Sequence, residues 1–140
     1  MLMNNITPSI DDQENRKLVE ALGEREVKAT LFSLNIDSVA GPDGFTNKFF
    51  IFNWEIVHDV VTNAVREFFT HASMTYGANS NFISLIPKKD NDVDVRDFRP
   101  VTIGNTIPKF ISKIITTRLG NIVKDKITLN QFGFVPGRNI

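Results

Sequence analysis

Three basic side chains flank the predicted connection between the two strands of a β-hairpin. Lys88 and Lys89 follow the apolar segment 80–87, and Arg99 comes near the beginning of the segment 98–104. A short connection would bring the end of the first strand close to the start of the second. There, a lysine point charge beside a forked guanidinium is suited to holding a triphosphate. On spacing alone, a solvated hairpin with charged ends is the simpler interpretation.

Both strands of this hairpin are predicted from local sequence. Residues 80–87 (SNFISLIP) carry apolar side chains on both faces, which predicts a buried strand. Residues 98–104 (FRPVTIG) predict a second strand, and Pro100 near its beginning is suited to an edge. Together the segments predict a small antiparallel two-stranded element inside an α-rich chain.

Helical segments precede the hairpin. Residues 10–21 predict a first helix with Ser9 as its N-cap, and Gly23 ends it. Thr46 is predicted to cap the longest helical region, which begins after the turn signal of residues 41–44. The second helix is predicted to bury Val27, Leu31 and Leu34. The long helix is predicted to bury Phe49, Phe50, Trp54, Val57, Val60, Val61, Ala64, Val65 and Phe68.

A last helix follows the second strand. Asn105 is predicted to cap it, and Pro108 falls in its first turn, where a missing N–H is tolerated. Its apolar face is predicted to hold Ile107, Phe110, Ile111, Ile114, Ile115, Leu119, Ile122 and Val123. Its basic side chains lie towards the other faces.

Metal-binding patterns are weak in this sequence. Asp90, Asp92 and Asp94 begin like a calcium-binding loop, but valines take the places of its required glycine and glutamate. His58 and His71 are too far apart to share a metal, and there is no cysteine for a zinc site or a disulfide. These patterns therefore predict no metal ligand within the chain.

Composition and charge narrow the class of protein further. The 140 residues fit one domain, and no run is long and apolar enough for a membrane span or a signal peptide, so nucleus or cytoplasm is the expected location. The formal net charge of zero hides an asymmetry. Residues 1–79 carry 6 basic and 11 acidic side chains, whereas residues 80–140 carry 10 and 5. A basic half suits a phosphate-binding surface, although the two halves could simply attract each other.

The order of these landmarks resembles the fingers part of LINE-type (non-LTR retrotransposon) reverse transcriptases. The matched landmarks are Gly41-Pro42-Asp43-Gly44-Phe45, Trp54, Phe68-Phe69, Asn79 to Lys88, Asp97-Phe98-Arg99-Pro100, Asn105, Lys109, Lys113, Arg118-Leu119, Asn130-Gln131, Phe134 and Gly137-Arg138. The resemblance implies an α+β fold, an incomplete polymerase fold made of its α-rich fingers portion. Residues 1–23 would be a polar lead-in with a short helix, and residues 24–140 a partial reverse transcriptase domain.

The resemblance also implies roles for individual residues. Lys88, Lys89 and Arg99 are expected to bind the incoming nucleotide triphosphate. The residues expected to contact the template are Asn105, Lys109, Lys113, Gln131, Gly137 and Arg138. The family synthesises DNA on an RNA template by two-metal nucleotidyl transfer. The intact enzyme would therefore use Mg²⁺, deoxynucleotide triphosphates, an RNA template and a DNA primer.

The sequence departs from the family pattern in three places. Residues 37–40 differ from the usual lead into GPDG, and Pro108 stands where an aromatic residue is usual. The family's aspartate motifs, which supply its palm with metal ligands, are absent, so no catalysis is expected from this chain alone. Two interpretations remain, a reverse transcriptase fragment with nucleotide and template contacts, and a non-catalytic nucleic-acid-binding or interaction module. A decayed transposon relic with no cellular role is a third option.

Overall fold

The computed structural model describes residues 10–90, 94–124 and 126–127. Within them the helices are α1 (Asp12–Val19), α2 (Glu24–Phe32), α3 (Asn47–Phe52), α4 (Trp54–His71) and α5 (Thr106–Val123), and the strands are β1 (Asn81–Pro87) and β2 (Phe98–Gly104). None of the helices in this described part is both long and apolar enough to cross a membrane.

The chain divides into two compact units. One comprises residues 22–112, and the other comprises residues 1–21 together with residues 113–140. Helix α5 contributes its first turns to the larger unit and its remainder to the smaller one. The hairpin and the loops around it all belong to the larger unit.

The core of the larger unit forms where α2, α3 and α4 pack together. Trp54 is 3% exposed and meets the ring of Phe32 edge-on, with 6.2 Å between centroids. Ile107 and Ile111 of α5 line a gap of about 60 Å³ beside Ala64 of α4. The buried apolar side chains of this unit are Leu22, Val27, Leu31, Phe50, Trp54, Val61, Val65, Phe110 and Ile111.

The long helix predicted after Thr46 is interrupted. Thr46 does cap it, because its hydroxyl accepts a hydrogen bond from the Phe49 N–H at 3.2 Å. At Asn53, however, α3 ends and α4 begins. The Asn53 side-chain amide donates to the Phe49 carbonyl at 2.8 Å, so a local side-chain bond competes with the continuing helix.

The predicted apolar faces are only partly buried. On α3 and α4, Phe50, Trp54 and Val61 are buried, but Phe49 and Val60 are exposed. Ala64 is also exposed, and so are Ile115 and Leu119 of α5. Burial was predicted wrongly at these positions. Periodicity identifies the apolar face of a helix, but it does not show how much of that face a neighbouring element covers.

The predicted hairpin is present. Strands β1 and β2 pair antiparallel from Asn81 opposite Gly104 to Pro87 opposite Phe98. The prediction that the first strand is buried was wrong, because Phe82, Ile83 and Leu85 are each more than half exposed. In the described part of the chain these strands form a two-stranded sheet, and most of their residues are exposed.

The smaller unit begins with a fully formed N-terminal cap. The N-cap of α1 is Asp11 rather than the predicted Ser9, which lies outside the described residues. The Asp11 carboxylate accepts from the Glu14 N–H at 2.8 Å, and Glu14 accepts from the Asp11 N–H at 2.9 Å. At the C-terminal end of α1, Arg118 of α5 donates to the Leu18 and Glu20 carbonyls. A capping box and an arginine therefore hold both ends of this short helix.

Acidification is expected to loosen α1. The Glu14 N–H holds the pKa of Asp11 below its usual value, and the Lys126 ammonium does the same for the pKa of Glu14. A depressed folded-state pKa contributes stability that is present above the unfolded pKa and is lost as pH falls through the folded one. Helical chemical shifts of α1 should therefore decline below about pH 4.

Asparagine at position 11 provides the matched comparison for this pH effect. Asp11→Asn keeps a side-chain oxygen for the cap but does not titrate. We expect the α1 shifts of this variant to depend less on pH than those of the unmodified chain. Identical pH profiles for the two proteins would show that the Asp11 carboxylate is not what holds the helix.

Candidate nucleic-acid interface

Two polar regions lie at opposite ends of the hairpin. The first, called the basic turn, comprises residues 88–99 that connect and begin the strands. Its backbone pairing continues past the sheet, because the Lys88 N–H donates to the Asp97 carbonyl at 2.8 Å. A short 3₁₀ turn, Val95–Asp97, precedes β2, and the Asp94 carboxylate caps it by accepting from the Arg96 N–H.

The two lysines of the basic turn fold back onto its own chain. Lys88 Nζ donates to the Arg96 carbonyl at 2.6 Å, and Lys89 Nζ lies 3.5 Å from Asp97 Oδ1. Lys88 thus bonds a backbone carbonyl, whereas the contact of Lys89 with Asp97 is a surface ion pair of the kind that contributes little to stability.

Arg96 forms a two-pronged ion pair with Asp94. Its Nε and Nη2 donate to Asp94 Oδ1 and Oδ2 at 3.0 and 2.8 Å. This fork lowers the pKa of Asp94 and raises that of Arg96, so both groups stay charged near neutrality. Residues 88–99 hold four basic and four acidic side chains in all, so the net charge of the basic turn is zero.

Arg99 is the second residue of β2 and pairs with Ile86. Since Lys88 lies opposite Asp97, Lys88 and Arg99 are diagonal neighbours across the strands, a relation that corresponds to a separation of roughly 7–8 Å. The hairpin thus brings the predicted nucleotide-binding residues into one small region. Lys88 and Lys89 contact the turn itself at Arg96 and Asp97, which also fits a solvated hairpin.

The second region, called the polar cleft, lies at the other end of the hairpin, about 20 Å along the strands. It is an open cleft of about 420 Å³ between the hairpin and the first turns of α5. Amides, hydroxyls and one ammonium predominate among the side chains that line it. The lining residues are Asn79, Asn81, Thr102, Gly104, Asn105, Pro108, Lys109 and Ser112.

Asn105 fixes the geometry of the polar cleft. The residue directly precedes α5, at the position predicted for its N-cap, and is 4% exposed, but its side-chain hydrogen bonds go to two loops rather than to the helix. Its side-chain oxygen accepts from the Asp43 N–H at 3.1 Å, and its side-chain nitrogen donates to the Ala78 carbonyl at 3.0 Å. One buried amide therefore joins two loops to the junction of β2 and α5.

The loop of residues 41–45 packs directly on this junction. Gly44 N–H donates to the Gly41 carbonyl at 3.0 Å, and Gly44 has a φ of 78°. The Thr106 hydroxyl donates to the Phe45 carbonyl at 3.2 Å. A side chain at Gly41 would collide with the backbone of Gly104 and Asn105. This turn was predicted from sequence, but its support of the cleft was not.

Part of the predicted template-contacting set lies in the polar cleft. Asn105 and Lys109 line it, whereas Lys113 is an exposed residue one turn further along α5. Gln131, Gly137 and Arg138 lie outside the described residues. The cleft residues that sequence reasoning did not assign to a site are Asn79, Asn81, Thr102 and Ser112. Their signal is a run of amides and hydroxyls at strand and helix ends.

Over residues 10–90, 94–124 and 126–127, no three histidine, cysteine or acidic side chains come together in a way that could hold a metal ion. The two regions at the ends of the hairpin thus offer cations, amides and hydroxyls, which are groups that bind phosphates and sugars.

Comparison with known proteins gives the chain a relative. No family model matches the sequence. The chain is 26% identical over 133 residues to the transposon TX1 uncharacterized 149 kDa protein of Xenopus laevis. The match covers 95% of this chain and 10% of that protein, so the chain spans about a tenth of its relative's length. The chain is therefore homologous to part of a transposon protein.

Proposed function

We propose that this chain is part of the RNA-directed DNA polymerase of a non-LTR retrotransposon, in which the hairpin contacts the incoming nucleotide and the template. The observation that carries the proposal is that Lys88, Lys89 and Arg99 lie together at one end of the hairpin and the polar cleft lies at the other end. The homology to a transposon protein and the order of the matched landmarks support it.

In this proposal the two regions have different tasks. Lys88, Lys89 and Arg99 bind the triphosphate of a deoxynucleotide through charge-assisted hydrogen bonds. Asn105, Lys109 and Lys113 contact the template from the side of α5. Gln131, Gly137 and Arg138 complete the template contacts in the proposal.

Metal chemistry is not assigned to these residues. The family's reaction uses Mg²⁺ held by a cluster of carboxylates. The described residues offer no such cluster, and two aspartates of the basic turn have basic partners, Asp94 with Arg96 and Asp97 with Lys89. The tasks of this chain within the polymerase are therefore binding and positioning.

A second candidate function is a nucleic-acid-binding or interaction module without polymerase chemistry. The zero net charge of the basic turn favours it, because a dedicated triphosphate site would carry a clear cationic excess. A weak binder of a polyanion needs less charge, since each phosphate is met by one cation at a time. Both candidate functions predict that nucleic-acid binding weakens as the salt concentration rises.

Removal of the three basic side chains of the hairpin is expected to weaken nucleic-acid binding. Lys88→Ala, Lys89→Ala and Arg99→Ala together should reduce the affinity for a labelled single-stranded oligonucleotide about tenfold at low salt. The slope of log K against log salt should become shallower by about 2, since each lost contact with a single strand contributes roughly 0.7. Fluorescence anisotropy over a range of salt concentrations measures both quantities.

A matched triple variant shows whether the loss of affinity depends on the position of the removed charges or only on their number. Arg16→Ala, Lys17→Ala and Arg25→Ala remove the same charge from exposed positions of α1 and α2. This control should leave affinity and slope nearly unchanged. Equal losses in the two triple variants, or binding that does not respond to salt, would remove the hairpin from the proposed interface.

A further inference from the structure

The hydrogen bonds between β1 and β2 determine which backbone groups of β1 point outwards. The Lys88 N–H donates to the Asp97 carbonyl, so this pair is hydrogen-bonded, and every second pair along an antiparallel ladder is of the same kind. The intervening pairs, such as Leu85 with Pro100, direct their N–H and C=O groups away from the partner strand. Pro100 fits this assignment because it has no N–H to donate. The residues of β1 that present both groups at its outer edge are Asn81, Ile83 and Leu85.

The outer edge of β2 is protected against pairing. Pro100 interrupts its row of donors, and the Phe98 N–H donates to the Val95 carbonyl of the 3₁₀ turn. At the end of the strand, the loop that contains Gly41 packs against Gly104. In the described part of the chain β1 and β2 form a sheet of two strands, so the outer edge of β1 is open there. An open edge of this kind is a template for a further strand.

The sequence of β1 suits pairing with itself. None of its seven residues carries a charge, although charged side chains are a usual protection of an edge strand. A two-fold axis places a surface beside its own copy, so a charge near the axis would face an equal charge. Ile83 and Leu85 stand on the same face of the hairpin, and both are more than half exposed. A second copy at this edge would extend that apolar face and cover part of both side chains.

We propose that the outer edge of β1 pairs antiparallel with the same edge of a second copy, in a four-stranded sheet whose two-fold axis passes beside Ile83. Ile83 then lies opposite Ile83 of the second copy, and Asn81 lies opposite Leu85. Pro87 falls opposite Asn79, beyond the end of the strand, so its missing N–H does not interrupt the new ladder. A hairpin alone is marginally stable, whereas three or more strands with an apolar face support one another. The inference does not depend on the proposed function.

Opposite charges at position 83 test this interface. Ile83→Lys and Ile83→Glu each place like charges on the two sides of the axis, and each should raise the dissociation constant of the dimer at least about tenfold. An equimolar mixture of the two variants should form dimers again, because the introduced charges are then of opposite sign. Sedimentation velocity of the full chain over a range of protein concentrations measures the dissociation constant of each sample.

Thr102 provides the matched control, because it lies opposite Ile83 on the same face of the hairpin. Thr102→Lys adds the same charge on the side of β2. In the proposed sheet the two introduced charges lie about 14 Å apart, which is three strand spacings and exceeds the Debye length at physiological salt. This variant should therefore dimerise nearly as well as the unmodified chain.

A cysteine at position 83 tests the register independently of charge. The chain has no cysteine, so Ile83→Cys introduces a single thiol. The Cα atoms of a hydrogen-bonded antiparallel pair are about 5.5 Å apart, a distance that a disulfide can span. Mild oxidation should therefore link two copies of this variant covalently, whereas Thr102→Cys should remain unlinked. Electrophoresis without a reducing agent measures the linked fraction.

The outcomes decide the inference in either direction. Dimers that are lost in each charge variant and return in the mixture support it, and so does a disulfide confined to Ile83→Cys. Dimers that persist in both charge variants, or a mixture that stays monomeric, overturn it. An unmodified chain that is monomeric at every concentration also overturns it and leaves the edge to a strand of another protein. The oligonucleotide measurements that test the proposed function are unaffected by any of these results.

Discussion

Replacing Gly41 by alanine is expected to destabilise the larger unit by about 3 kcal/mol, because the new methyl group has no room. A Cβ at this position would meet the backbone of Gly104 and Asn105 as well as the Asn105 side chain. Backbone atoms at the start of a helix cannot move aside as the end of a flexible side chain can. Loop 41–45 would have to lift away and lose the hydrogen bond between the Asp43 N–H and Asn105.

Urea unfolding followed by circular dichroism measures this effect, and Gly120→Ala is its control. Gly120 lies inside α5 with open space where a Cβ would be. Alanine there should raise the free energy of unfolding by about 0.5–1 kcal/mol, since glycine is a poor helix residue. If Gly41→Ala unfolds at the same urea concentration as the unmodified chain, the close packing of the loop on the cleft is not a feature of the molecule in solution.

The hairpin could be predicted from sequence because its signals are local. Apolar segments 80–87 and 98–104 are separated by a short polar connection, and β2 has the bounds predicted. The cap at Thr46 is local in the same sense, because its partner is the N–H three residues ahead. The break at Asn53 could not be predicted, because the apolar period runs through it and only the side-chain bond to Phe49 marks it.

The candidate site could be predicted only where it follows the chain. Lys88, Lys89 and Arg99 come together because two paired strands meet there, and the sequence indicates both strands. The polar cleft depends on contacts between distant positions. Asn105 contacts Asp43 and Ala78, which lie 62 and 27 residues earlier in the chain, and no local pattern encodes such pairs.

The burial of β1 shows a further limit of sequence reasoning. An apolar strand pattern indicates that burial of the side chains is favourable, but it does not indicate which surface covers them. Ile83 is 72% exposed although its sequence context predicts burial. The sequence therefore predicts the apolar strand correctly, but it predicts wrongly that the strand is buried.

Replacing Asn105 is expected to have an effect of similar size to the Gly41 variant. Asn105→Ala leaves the Asp43 N–H and the Ala78 carbonyl without their partner in a part-buried position. Unpaired groups of this kind cost about 1–3 kcal/mol each, so the free energy of unfolding should fall by about 3 kcal/mol. Asn63→Ala, at an exposed position of α4, is the control and should change it by less than about 0.5 kcal/mol.

Aspartate at position 105 makes the same contact titratable. At neutral pH the carboxylate keeps the acceptor for the Asp43 N–H but faces the Ala78 carbonyl without a proton to donate. The protonated form restores that donor, so the folded-state pKa of the new carboxyl should lie above its unfolded value. Its contribution is then present below the unfolded pKa and is lost as pH rises through the folded one. Relative to the unmodified chain at each pH, Asn105→Asp should therefore be less destabilised at pH 4 than at pH 7. An equal deficit at both values would mean that the Ala78 contact does not hold the cleft together.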